Sequence, residues 1–229
     1  MRPEEGGVPH FAKAQIRAEI LARRRLLSKG TLVLAAAALR EHVVAAVRGA
    51  GAVRVCAYVP FGAEPGSQIL LDALTVGGVD VLLPVLRDDL DLDWAMYEGP
   101  WSLVAAARGP AEPAGTRLGV DAVASAGIVI VPALAVDAAG HRLGRGGGSY
   151  DRALVRVRPG VPVVALLHDG ERVAAVPVDG HDRPVTHTVT PTGGWQPVGG
   201  SGGPVGGSAG PPGGSGEAPG QPAQDADPG

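Results

Sequence analysis

Four short runs of branched apolar residues set the strongest limit on what this chain can become: 53–59, 79–85, 128–132 and 161–167. Each is apolar on nearly every successive position rather than every second one, which is how a strand reads when both of its faces are buried. Segments with helical patterning lie between and before them. Residues 11–27 carry an imperfect apolar stripe of Phe11, Ile16, Ile20 and Leu27. Residues 31–48 are rich in Ala and Leu, with Thr31 placed to cap them, and a third helix is expected from about Ser67 to Thr75. Strands alternating with helices predict an α/β fold of three layers, a mainly parallel sheet with helices on both faces. Residues 92–97 read as an edge strand. Residues 172–178 read as a last strand, turned back antiparallel on 161–167 across Asp169-Gly170.

Composition divides the chain into a flexible N-terminus (1–10), one α/β domain (11–190) and a disordered tail (191–229). More than half of the residues from 191 onward are Gly or Pro, too little apolar surface to offset the entropy of ordering. Trp195 and Val198 are the sizeable apolar side chains near the start of that tail. A net charge of −3 argues against nucleic acid or a membrane surface as partner. The apolar run 32–39 is too short to span a bilayer, and residues 1–10 have no apolar stretch of the secretory kind. The single cysteine, Cys56, sits in an apolar run and reads as a buried, reduced thiol, in keeping with a cytoplasmic protein.

Chemistry concentrates in residues 142–151, Arg-Leu-Gly-Arg-Gly-Gly-Gly-Ser-Tyr-Asp. Gly144, Gly146, Gly147 and Gly148 let backbone N–H groups approach a ligand closely, and a glycine turn opening into a helix suits phosphate. Arg142 and Arg145 add cations able to fork onto phosphate oxygens. Asp151 would repel phosphate unless a divalent cation stood between them. The plainer alternative is a flexible turn with Ser149 as N-cap and Asp151 answering the helix dipole. Lys13 and Arg17, four apart on one helix face, have no acidic neighbour in that helix, so they are either a solvated basic face or one that awaits an anion. Glu64 and Asp182 lie in loops, the first beyond a strand's C-terminal end, where open α/β sheets bind ligands. The aromatic group Trp94, Tyr97 and Trp101, with Met96, reads first as core or lid packing.

The runs 131–137 and 140–151 closely resemble the signature of the 5-formyltetrahydrofolate cyclo-ligase (methenyltetrahydrofolate synthetase) family, and a thinner similarity extends from Lys13 to about Thr190. The resemblance implies a three-layer α/β fold and an enzyme, a carbon–nitrogen ligase of one-carbon metabolism. It would close 5-formyltetrahydrofolate to 5,10-methenyltetrahydrofolate with ATP as co-substrate and Mg²⁺ as cofactor. The implied ATP-binding residues are Lys13, Arg17, Arg142, Leu143, Gly144, Arg145, Gly146, Gly147, Gly148, Ser149 and Tyr150. Glu64 and Tyr150 would bind the folate, Arg145 and Tyr150 would serve catalysis, and Asp151 and Asp182 would hold the metal. A monomer acting on a small-molecule folate is expected. A non-catalytic folate- or nucleotide-binding relative is the alternative. Two positions depart from the pattern: Ser149 stands for the first of two aromatic residues, and Gly147 where some relatives carry lysine.

Overall fold

The structure is a computed structural model and describes residues 7–106 and 109–198, with only the backbone of residues 7–11. The chain runs α1 (Gly7–Arg25), α2 (Lys29–Gly49), β1 (Arg54–Cys56), α3 (Gln68–Val76), β2 (Asp80–Leu86) and β3 (Leu92–Met96). Two-residue strands β4 (Leu103–Val104) and β5 (Glu112–Pro113) follow, then β6 (Ile128–Pro132), β7 (Ala135–Val136), β8 (Arg142–Leu143), α4 (Ser149–Leu154), β9 (Val163–Leu166), β10 (His187–Thr190) and β11 (Gly194–Pro197). The main sheet has seven strands in the order β11-β10-β9-β6-β1-β2-β3. Its five central strands are parallel, and β3 and β11 close the two edges antiparallel. This is the expected three-layer α/β arrangement.

Alternate side chains of each buried strand go to opposite layers. Val55, Val81, Leu83, Ile128, Ile130, Val164 and Val189 pack with Leu39, Val43 and Val47 of α2 and Leu70, Leu71 and Leu74 of α3. Cys56, Leu82, Val129, Val131 and Ala165 face the other way, onto Ala153 and Leu154 of α4. Ser28, one turn ahead of the expected Thr31, caps α2 by accepting the Thr31 N–H at 3.1 Å. By length and composition α2 also qualifies as a bilayer-spanning helix, longer than the run 32–39 suggested, yet its Ala35, Leu39, Val43 and Val47 are buried on the sheet.

Three expectations are corrected. Helix α1 begins at Gly7, so residues 7–10 belong to a helix and not to a loose terminus; residues 1–6 and the side chain of Phe11 lie outside the described residues. Residues 172–178 do not form a strand. Their backbone donors go elsewhere: Val173 N–H to the Val136 carbonyl and Val176 N–H to Asp137 Oδ2. The closing antiparallel pair is β10 with β11, which draws residues 191–198 into the domain. Gly194 turns the chain at φ +66°, and Trp195 packs on the core and against the His187 ring at 5.3 Å. The rest of the expected tail, 199–229, lies outside the described residues.

One buried ion pair ties the N-terminal helix to the sheet. Arg24 sends Nε and Nη2 to the two Glu171 oxygens at 2.7 and 2.8 Å, and Nη2 also to the Ala133 carbonyl at 2.8 Å. Both side chains are almost fully buried, and Ile20, one turn back, packs with Leu134, Ala135, Leu143 and Val176. Glu171→Gln leaves the guanidinium buried without its counter-charge, so we expect a loss of about 3 kcal/mol in urea denaturation.

A second pair, Arg156 with Asp91, joins the segment after α4 to the β2–β3 turn. The Arg156 hydrogen bond holds the Asp91 carboxyl below its ordinary range. A depressed folded value means the stabilisation is fully present above the unfolded value of 3.8 and is lost as the pH falls through the folded one. In acid unfolding titrations, Asp91→Asn should therefore be less stable at neutral pH by about 1 kcal/mol, with that deficit shrinking as the pH falls through the folded value.

Candidate active site

The glycine stretch leaves β8 and enters α4 with no side-chain cap: Gly148 takes the N-cap position at φ +70°, and Ser149 is the first helical residue rather than the cap. Gly146, at φ +104°, lies under Arg17, whose guanidinium carbon would be 3.6 Å from a β-carbon placed there. Arg17 also donates Nε to the Gly144 carbonyl at 2.9 Å. The first helix and the glycine turn, 127 residues apart in sequence, thus touch directly.

A cavity of about 1120 Å³ opens here. Its polar wall is the turn itself, residues 142–151, with Lys13 and Arg17 from α1, Glu64 from the loop after β1, and Asp179 and Asp182 from the loop before β10. Its apolar wall includes Tyr58, Val59, Phe61, Pro84, Leu86, Leu92 and Val155. Every residue singled out above for nucleotide, folate or metal lines this one space. Of the aromatic group, Trp94 and Tyr97 are buried in the body and Trp101 stands exposed, and none of them lines it. Glu112, beside Pro113 in β5, accepts the Leu86 N–H at 2.9 Å and also faces the cavity.

Most of the cations are paired. Lys13 Nζ donates to Asp179 Oδ2 at 2.6 Å and to Asp182 Oδ2 at 2.7 Å. Burial works to lower the Lys13 pKa, but these two carboxylates outweigh it and raise the value. Burial likewise opposes ionisation of Asp182, yet the Asp179 backbone N–H and Lys13 hold its carboxyl below the ordinary range. Arg142 Nη2 donates to Asp151 Oδ1 at 2.8 Å, an oxygen that also accepts the Arg183 N–H at 3.1 Å. Arg145 Nε donates to Glu64 Oε1 at 2.8 Å. The Arg142 guanidinium lies 5.9 Å from the centre of the Tyr150 ring. Burial raises the Tyr150 pKa strongly, so its phenol stays protonated at neutral pH and can donate but not act as a base.

Sequence reading missed Arg24, Glu171 and Asp179. One signal for Arg24 was present: Lys13, Arg17, Ile20 and Arg24 fall on a single helical stripe, which puts three cations on the packed face. Nothing local marked Glu171 or Asp179, since their partners are 147 and 166 residues away.

The Asp151 and Asp182 carboxylates suit Mg²⁺, which takes hard oxygen ligands and is usually held by one or two carboxylates plus phosphate. Asp151 Oδ2 carries no hydrogen bond among the described residues, and Asp182 Oδ1 has only the exposed His181 ring at 3.8 Å. Among the described residues Asp179, His181 and Asp182 form a group whose ligand atoms lie within 4.8 Å of one another, and Asp151 is not a member of it. Lys13→Met strips the shared counter-charge from Asp179 and Asp182. Chemical denaturation should show a loss of about 1–2 kcal/mol at pH 7.

A family model described as the 5-formyltetrahydrofolate cyclo-ligase family matches residues 10–191. The chain is 42 % identical over 194 residues to a 5-formyltetrahydrofolate cyclo-ligase of Mycolicibacterium smegmatis, covering 80 % of this chain and 95 % of that one. It is 32 % identical over 149 residues to the enzyme of the same name from Escherichia coli K12, covering 62 % and 80 %. In fold it is similar to the 5,10-methenyltetrahydrofolate synthetase of Aquifex aeolicus, with a TM-score of 0.66 at 24 % identity over 86 % of this chain and 97 % of that one. The Mycoplasma pneumoniae synthetase gives a TM-score of 0.60 at 16 % identity over 76 % and 94 %. With the match spanning nearly all of the described domain, the chain belongs to the 5-formyltetrahydrofolate cyclo-ligase family.

Proposed function

We propose that the chain catalyses the ATP- and Mg²⁺-dependent cyclisation of 5-formyltetrahydrofolate to 5,10-methenyltetrahydrofolate, with release of ADP and phosphate. The observation that carries the reading is the convergence of Lys13, Arg17, Arg142 and Arg145, from two distant stretches, around one glycine turn in a cavity that also has an apolar wall. Cations and backbone donors at a glycine turn suit a polyphosphate, and an apolar wall suits a pterin ring.

A formamide is a weak electrophile and its oxygen a poor leaving group. In the first step the formyl oxygen takes the γ-phosphoryl group and ADP departs, which turns that oxygen into a phosphate able to leave. In the second, the neighbouring amine nitrogen of the same folate attacks the formyl carbon, the C–O bond breaks with the electron pair leaving on phosphate, and the nitrogen loses its proton. Phosphoryl transfer of this kind needs chiefly positioning and charge neutralisation. Lys13, Arg17, Arg142 and Arg145 serve that need, and Arg145 takes the place of the lysine that Gly147 lacks. Mg²⁺, held by Asp151 and Asp182, would neutralise polyphosphate charge. Glu64 accepts N–H donors from the pterin edge, and Tyr150, kept as a neutral phenol, orients the folate by donation. The proton leaves to water rather than to Tyr150. Ring closure within one molecule gains from enforced proximity, with effective molarities of roughly 10⁵ M or more for well-oriented groups. A monomeric, cytoplasmic enzyme, without nucleic acid or membrane partners, goes with this reading.

Purified protein with ATP, Mg²⁺ and 5-formyltetrahydrofolate should develop the methenyl absorbance. Asp151→Asn should lower kcat by about 100-fold or more while folate affinity, read by calorimetry, changes little. Folded protein that binds folate or nucleotide without turnover would replace this reading with that of a non-catalytic binding relative.

A further inference from the structure

We infer that the Arg145–Glu64 ion pair couples the two halves of the cavity: while it stands it occupies the folate acceptor, and a nucleotide frees that acceptor by drawing Arg145 onto phosphate. The inference rests on the functional reading above, in which Glu64 receives the pterin edge and the glycine turn receives phosphate.

Both carboxylate oxygens of Glu64 are engaged. Oε1 accepts from Arg145 Nε at 2.8 Å, and Oε2 accepts the Phe61 N–H at 3.0 Å. The two bonds differ in kind. The Phe61 bond belongs to a closed turn, since the Glu64 N–H donates back to the Phe61 carbonyl at 3.2 Å. It fixes where the carboxylate sits. The Arg145 bond comes from a different part of the chain, 81 residues on. It is the side chain's one hydrogen bond among the described residues, and that side chain is 53 % exposed while Glu64 is only 10 % exposed. Arg145 is also the cation seated within the glycine run, immediately before Gly146 at φ +104°.

Two other carboxylate-paired cations of the cavity are less free to move. Lys13 is gripped by two carboxylates, and Arg142 is buried against Asp151. Arg145 joins an exposed guanidinium of the glycine turn to a largely buried carboxylate of the loop after β1. A polyphosphate offers it several negative charges in place of one, with a geometry that suits its fork. Once Arg145 moves, Glu64 Oε1 is left in a largely buried position without a donor, a costly state that paired N–H groups of a pterin relieve. The linkage is reciprocal: each ligand tightens the other by the same factor. Because the Arg145 end is solvated, the pair is of modest strength, so a coupling of about fivefold is expected.

The test is calorimetric titration of 5-formyltetrahydrofolate into the full chain, with and without a saturating non-hydrolysable ATP analogue and Mg²⁺, for the parent and for Arg145→Gln. The parent's folate Kd should fall about fivefold when the analogue is present. Arg145→Gln should bind folate about fivefold more tightly than the parent without nucleotide, and should gain nothing further from the analogue. An Arg145→Gln chain with the parent's folate affinity and the parent's full coupling overturns the inference while leaving the catalytic reading to the absorbance assay. A folded parent that binds neither ligand overturns both together. Because Arg145 is exposed and outside the core, the variant should fold, with a melting temperature slightly below the parent's for the donor that Glu64 Oε1 loses.

Discussion

The buried Arg24–Glu171 pair is the constraint on which the cavity depends. Helix α1 has a narrow apolar footing on the third core cluster, through Ile20 with its partly buried neighbours Ile16 and Leu21. What sets its position along its own axis is the two-pronged bond from Arg24 to Glu171, reinforced by the Ala133 carbonyl. Such a pair adds less to net stability than its distances suggest, because taking two charges out of water is costly. It is strongly directional, however. With Arg24 fixed, Arg17 falls two turns back at the Gly144 carbonyl, and Lys13 a further turn back between Asp179 and Asp182.

The resulting cavity is balanced within itself. Lys13, Arg142 and Arg145 each have a carboxylate within hydrogen-bond distance. A site of this kind exchanges partners when a charged ligand arrives: cations turn to the anion, and the carboxylates they leave are available to other donors or to a metal. The groups proposed to recognise the ligand also hold one another in place, which limits the rearrangement needed on binding.

Much of the fold was legible because the buried strands of a parallel sheet are continuous apolar runs, and 53–59, 79–85, 128–132 and 161–167 each contain a strand that lies at the centre of the sheet. The error at 172–178 arose because an apolar run of Val, Ala and Pro follows the turn at Asp169-Gly170. Their segment instead lies against the β7 edge and the Asp137 carboxylate, which accepts from Val176, Ala139 and His141. Strand β11 was hidden by composition: Gly193, Gly194 and Pro197 signal disorder, and only the packing of Trp195 and the pairing with β10 make this stretch an edge. The site was legible where it is local, in residues 142–151, and where a motif resemblance reached it, at Lys13, Glu64 and Asp182. Its supports were not, because Glu171 and Asp179 acquire meaning only from a helix at the other end of the chain.

That separation has a consequence for how the protein comes into being. The lysine of the first helix meets its carboxylates 166 and 169 residues later, and the arginine that fixes this helix waits 147 residues for its glutamate. During synthesis, therefore, α1 emerges long before anything it can dock on, and contacts of such long range are the slow ones to close. Ligand affinity should be absent from the growing chain and arrive late, when the last strands come off the ribosome and the two ends of the domain meet.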